Sequence, residues 1–271
     1  MQLIEVPAKT GYVWFRQGIW LFRRNPLAFL TLFFAYLLAM TAISLIPIIG
    51  GVLPLMLIPG VAVGFMAACR DTIAGKPVLP TILVDGFRSY GSQVAKRLLL
   101  LGVLYIIAMA VVLTGSALAD GGMLLHLMIS GESMQPEAVA NSDIPLAVLT
   151  ALAFYVPVAM LFWFAPVLTA WHDVPTIKAM FFSIVSCWRN RGAFLVYGAL
   201  WFAVATTVSI GLSALLQALG AGDLALVILM PASIIVTTML YCSFYATYRG
   251  CFGVQSPGQP LTSDSSSSPS P

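Results

Sequence analysis

From Asn25 to Cys69 the chain carries no charged residue and no histidine, and arginines stand at both edges, Arg23 and Arg24 before it and Arg70 after it. At about 1.5 Å of rise per helical residue, this stretch is roughly twice as long as one bilayer crossing requires. Its middle reads Ile46-Pro47-Ile48-Ile49-Gly50-Gly51-Val52-Leu53-Pro54. Proline removes a backbone donor and fixes φ, and paired glycines favour a turn, so one continuous helix is disfavoured there. The stretch predicts two membrane helices joined by a tight turn, with basic residues at both ends of the hairpin.

The rest of the chain repeats this plan. Of its 271 residues, 60% are hydrophobic and 8% charged, against about 25% charged in a soluble domain. A soluble chain of this length does not enclose so much apolar surface. The net charge of +3, from 13 basic and 10 acidic residues, is too sparse for a nucleic-acid surface, which clusters Lys and Arg on one face. The first long apolar run is too long for a signal-peptide core and has no A-x-A-like site behind it, so a retained anchor is expected.

Six spans follow from the apolar runs, at about 27–47, 52–70, 98–119, 145–171, 193–217 and 224–248. The expected fold is therefore all-α, a polytopic bundle of three hairpins. Each hairpin follows a basic, aromatic stretch suited to the membrane interface: residues 1–24, 81–95 and 172–191. The first is expected to lie flat on the inner surface and to bend at Asn25-Pro26. Pro157 and Pro166 should bend span four, with neighbouring helices covering the freed carbonyls. The segment 120–144 contains Asp120, Glu132, Glu137 and Asp143 but no Lys or Arg, and its apolar run from Met123 to Ile129 predicts a short outer-surface helix. Residues 1–254 form one integral membrane domain in this reading. The tail 255–271, rich in Ser and Pro, is expected to be disordered.

All 13 Lys and Arg fall at 9–24, 70–97, 178–191 and 249, and the three intervening turns have none. The positive-inside rule then places both termini in the cytoplasm.

An internal repeat runs through this plan. Pro80-Thr81-Ile82 recurs as Pro175-Thr176-Ile177, and an aromatic residue follows each proline by seven positions, Phe87 and Phe182. Pro7 and Trp14 stand at the same offset. In spans two, four and six a proline (Pro54, Pro157, Pro231) lies 16 residues before Arg70, Asp173 and Thr247. The unit is an interfacial helix plus a hairpin, used three times in parallel orientation.

Phe22-Arg23-Arg24-Asn25-Pro26-Leu27 and Val61-Ala62-Val63-Gly64-Phe65-Met66-Ala67-Ala68-Cys69-Arg70 resemble an uncharacterised family of proteobacterial inner-membrane proteins with six helices. That family is distantly similar to the membrane domains of some glycerophosphodiester phosphodiesterases. The resemblance is close over about the first 100 residues and one of layout beyond them. It implies a bacterial inner-membrane location and brings no catalytic or binding residue with it.

Chemistry is sparse. Cys69, Cys187, Cys242 and Cys251 form no CxxC pair, which excludes zinc-ribbon and thioredoxin-like sites on spacing. All four fall near the basic side, where free thiols are expected. His126 and His172 fall on opposite sides of the membrane in this topology. His172-Asp173 is the best acid–base pair on offer, but a pair without a third group reads as a local hydrogen bond before it reads as catalysis. No P-loop and no GxSxG occurs, and no span holds an ionisable residue in its interior, where ion-coupled transport places one. The expected protein is not an enzyme and needs no cofactor or metal.

Two functional classes remain. In the first, Arg23, Arg24, Arg88, Lys96, Arg97, Arg189 and Arg191 hold anionic lipid headgroups at the inner leaflet. The bland alternative for these residues is that they only orient the chain during insertion. In the second, the spans form a small transporter or channel for an uncharged solute along membrane hydroxyls: Ser44, Thr114, Thr150, Thr206, Thr207, Ser209, Ser213, Ser233, Thr237 and Thr238. Gly60, Gly64 and Ala68 form a small-xxx-small face that lets another helix approach, within the monomer or between copies. Membrane lipid is the expected partner, and a membrane-protein partner or homo-oligomer stays open.

Overall fold

A computed structural model describes residues 3–123, 125–126 and 143–253. Most of the expected outer-surface helix at 123–129 and the tail at 255–271 lie outside the described residues. Among those described, the structure is all-α with no strand, and six helices are long and apolar enough to cross a membrane.

The first unit is α1 (Thr10–Arg24), α2 (Pro26–Ser44) and α3 (Leu53–Ile73). Asn25 breaks the chain direction with φ −151° and ψ 68°, and its side-chain oxygen accepts the Ala28 N–H at 3.3 Å, capping α2. Pro26 opens α2, where its missing N–H costs nothing. The turn between α2 and α3 closes with the Gly50 N–H donating to the Ile46 carbonyl at 2.9 Å.

The second unit begins with a 3₁₀ turn (Pro80–Val84) and a short α4 (Asp85–Arg88), then α5 (Ser92–Asp120). This corrects the single helix expected over 81–95. Gly91 at φ 87° ends the leading segment, and α5 starts six residues before the expected span, so that Lys96 and Arg97 sit in its first turns. Only glycine holds such a φ without strain.

Span four is two helices, α6 (Ile144–Phe162) and α7 (Ala165–His172), broken at Trp163-Phe164. Pro166 cannot donate to the carbonyl one turn back, so the ladder fails there. Ser183 of the third unit mends the break. Its hydroxyl donates to the Met160 carbonyl at 2.7 Å and accepts the Phe164 N–H at 2.9 Å. A neighbouring helix thus satisfies backbone that lipid could not.

The third unit is α8 (Thr176–Arg189), α9 (Arg191–Ala218) and α10 (Ala225–Phe252). The three units pack in a cycle. The leading segment of the second unit packs on α3 of the first, α8 packs on α6 and α7 of the second, and α1 packs on α9 and α10 of the third. So α1 does not simply lie on a membrane surface. Gly11 and Gly18 let it approach the backbones of α9 and α10, and Trp14, 1% exposed, seats against Gly250.

Candidate functional site

The basic residues gather at one end of the bundle. On α1 the buried positions Gly11, Trp14, Gly18 and Leu21 recur every three to four residues and face the third unit. The opposite face is basic and aromatic. Tyr12, Phe15, Arg16, Ile19, Trp20, Arg23 and Arg24 line a concavity of about 520 Å³, with no acidic residue among them. The Arg24 guanidinium lies 4.5 Å from the Trp20 ring centroid, and that of Arg16 5.8 Å from Tyr12. Stacking on a ring face orients each cation without neutralising it.

The other basic positions differ in how they are held. Arg97 of α5 is half-buried and donates to the Asp173 carboxylate at 2.5 Å and to the Asp173 carbonyl at 3.0 Å. Arg189 pairs with Glu5 at 2.6 Å. Arg191 donates to the Trp188 carbonyl at 3.3 Å and stacks 5.6 Å from that residue's ring. Arg23, Arg24, Arg88 and Lys96 are exposed and have no ion pair among the described residues. Two of the seven cations named from the sequence are therefore matched by carboxylates within the chain.

At the centre of this end the three units meet. Arg70 contacts Asp71 at 2.9 Å and stands 5.3 Å from the Trp171 ring, and the Trp171 indole N–H donates to the Tyr90 hydroxyl at 2.9 Å. His172 and Asp173, adjacent in sequence, part company. His172 Nε2 lies 2.7 Å from the Tyr248 hydroxyl, while Asp173, in the left-handed region at φ 53°, turns its carboxylate to Arg97. They do not form the acid–base pair their adjacency offers. Among the described residues no three of His, Cys, Asp and Glu converge on one point.

Gly60 and Gly64 receive the leading segment of the second unit. A Cβ on Gly60 would overlap the Phe87 ring, and one on Gly64 would stand 2.5 Å from the Ile82 carbonyl oxygen. Ala68 is fully buried on the same helix. The four cysteines are free and buried.

Sequence reasoning missed Asn190, which is 1% exposed and joins α8 to α9. Its amide accepts the Val6 N–H at 2.8 Å and donates to the carbonyls of Ile4 and Ser186, each at 3.1 Å. The Ile4 N–H in turn donates to the Cys251 carbonyl at 2.8 Å. The N-terminal segment, residues 4–6, is thereby tied to two helix ends of the third unit. Asn25 holds the matching place before α2, which was the available signal.

Six apolar helices in three hairpins, with their cations collected at one end, define a polytopic α-helical membrane protein. Over 262 residues the chain is 71% identical to a probable inner membrane protein of Burkholderia thailandensis, covering 96% of this chain and 97% of that one. The chain belongs to the family of that inner-membrane protein. No protein-family model matches it, and no solved structure does.

Proposed function

We propose that this is a non-enzymatic inner-membrane protein whose basic, aromatic end faces the cytoplasm and holds anionic phospholipid headgroups there. The observation that carries this reading is the outward face of α1. Three arginines alternate with Tyr12, Phe15, Ile19 and Trp20 around a concavity that has no carboxylate. Aromatic bodies with cationic tips match the boundary between acyl chain and headgroup. Each cation near an anionic surface contributes about 1 kcal/mol, and the contributions accumulate over a cluster. Arg88 and Lys96 extend the basic surface onto the second unit and Arg191 onto the third. The distant similarity to phosphodiesterase membrane domains adds no residue to this reading.

The test exchanges Arg23, Arg24 and Arg191 for Gln, with lysines added elsewhere on the basic side to preserve topology. Native mass spectrometry then counts co-purifying cardiolipin and phosphatidylglycerol. The reading expects fewer retained anionic lipids. Parental retention with intact topology would reduce these arginines to orientation signals.

One observation favours transport of an uncharged solute instead. Between α9 and α10, Ser209, Ser233 and Thr237 line a groove of about 350 Å³ within the membrane spans. Solute flux into proteoliposomes, lost on replacing these three hydroxyls by Ala or Val, would support that second reading.

A further inference from the structure

Two of the four free thiols meet where α1, α3 and α10 converge. Cys69 of α3 and Cys242 of α10 are each 1% exposed, and the fold brings them together across 173 residues of sequence. The Cys69 Sγ lies 3.8 Å from the Cys242 carbonyl oxygen, and the two thiols are within hydrogen-bonding reach of each other. The remaining thiols belong to another place. Cys187 donates to the Met160 carbonyl at 3.9 Å, and Cys251 is nine residues past Cys242, about 13 Å along the axis of α10.

More sulfur stands one turn away on both helices. Met66 precedes Cys69 by three residues and Met239 precedes Cys242 by three, and helical positions three apart share a face. Both helices run toward the basic end, so the two Met-x-x-Cys turns point the same way. Met66 is buried, and Met239 packs half-buried against the same core. Among the described residues no third His, Cys, Asp or Glu joins the two thiols. There is also a way in. Cys242 lines a cleft of about 290 Å³ whose other walls include the exposed Gln17 and Trp20 of α1.

We propose that Cys69 and Cys242 are the two ligands of a site for one soft monovalent cation, Cu(I). Thiolate and thioether sulfur favour Cu(I), which two sulfurs in line can satisfy, whereas a structural zinc site takes four ligands and calcium or magnesium takes oxygen. On binding, the copper–sulfur bond to one cysteine forms as its S–H bond breaks, and the proton leaves to solvent. The other sulfur donates a lone pair, and no electron changes hands. The resulting complex is neutral, which suits an apolar interior where a net charge is costly. This site is separate from the arginine face of α1 and does not depend on the lipid reading.

The experiment uses the full chain, purified in mild detergent, reduced, and titrated anaerobically with Cu(I) against a chromophoric Cu(I) chelator. One Cu(I) per chain is expected. Loss of an outer contact costs a metal site about 10–100-fold in affinity, so Cys69→Ala and Cys242→Ala, which each remove a ligand, should weaken binding by more than about 100-fold. Zn(II) at equal concentration should not displace the copper. Copper K-edge absorption spectra of the unaltered protein should show sulfur ligands only, and this readout stands even if a single variant folds poorly. Nitrogen or oxygen ligands at the metal overturn the proposal, as does parental affinity in Cys69→Ala or Cys242→Ala. Equal competition by Zn(II) overturns it too. Copper that persists in both single variants and is lost in Cys187→Ala with Cys251→Ala would place the site at the other two thiols and likewise end the proposal.

Discussion

Gly60 of α3 and Phe87 of α4 lie in direct contact, the ring occupying the space a Cβ on Gly60 would take. One turn on, Gly64 meets backbone, with the Ile82 carbonyl oxygen 2.5 Å and the Leu83 Cα 2.7 Å from the position of an added Cβ. A ring tip can swing aside, but backbone in a 3₁₀ turn cannot. Gly64→Leu should therefore destabilise the protein by about 1–3 kcal/mol, the range of overpacking. Gly211 on α9 has nothing within 4 Å of its Cβ position, so Gly211→Leu serves as the control and should be near neutral. Thermal melting in detergent distinguishes them. Equal melting of the two variants would show that the leading segment of the second unit does not hold α3.

Asn190 should matter more than any single cation at the basic end. Replacing it with Ala leaves the half-buried Val6 N–H without its acceptor and the Ile4 carbonyl without that donor, while the Ser186 carbonyl keeps the backbone N–H of residue 190. A fully buried polar group left unpaired costs about 1–3 kcal/mol, and a half-buried one such as the Val6 N–H costs less because water reaches it. The Ile4 N–H bond to Cys251 then loses its neighbouring anchor. The expected outcome is a lower melting temperature together with faster proteolysis near the N-terminus. Unchanged cleavage in the first ten residues would mean that the N-terminal segment is held without the asparagine.

The spans were legible because a bilayer dictates them. Some twenty apolar residues are needed per crossing, and the charge-free runs deliver them. The pairing of hairpins with basic aromatic segments was legible for the same reason. The breaks were harder to read. Pro157 and Pro166 announced a bend, yet where span four parts depends on Ser183, more than fifteen residues away in sequence and on another unit. The helix expected over 81–95 looked continuous because its apolar pattern is. Contact of Gly86 with the Gly60 backbone and the positive φ of Gly91 divide it, and both are tertiary facts. The seat of α1 on α9 and α10 was invisible, since it is a crossing over helices that follow it by well over a hundred residues. Repeat arithmetic finds equivalent positions, but it does not say how the units pack on one another.

Cys187 provides a pH-dependent test. Burial holds its thiol well above the ordinary range, and nearby Cys251 adds to the effect. Its Sγ lies 3.9 Å from the Met160 carbonyl oxygen at the break in span four. A thiol whose folded-state pKa is raised stays protonated where the unfolded thiol ionises. Its contribution to stability is therefore full below the unfolded value of about 8.5 and declines as pH rises above it. The thiolate is the reactive form, so N-ethylmaleimide at about pH 8 should label Cys187 far more slowly in the folded protein than after denaturation in SDS. Raising the pH by one unit should speed labelling of the denatured chain several-fold and leave the folded rate nearly unchanged. Mass spectrometry of peptides locates the adduct. Rapid labelling of the native protein would place Cys187 in an open environment and remove it from the seal around Ser183.

Orientation follows from the same cations, and it has a direct assay. All 13 Lys and Arg lie at 9–24, 70–97, 178–191 and 249, while the charged residues of the intervening turns are all acids: Asp120, Glu132, Glu137, Asp143 and Asp223. Short loops rich in Lys and Arg resist export across the inner membrane, and acidic residues contribute little to the bias. With six crossings, both ends of the chain are then expected on the cytoplasmic side. Alkaline phosphatase folds only where its disulfides form, outside the cytoplasm. Fusions after residues 49, 132 and 221 should therefore be active, and fusions after 80, 180 and 255 inactive. The outcome bears on function as well as topology. If the pattern is reversed, the arginine-rich face of α1 opens to the periplasmic leaflet, and cytoplasmic-leaflet lipid cannot be what it holds.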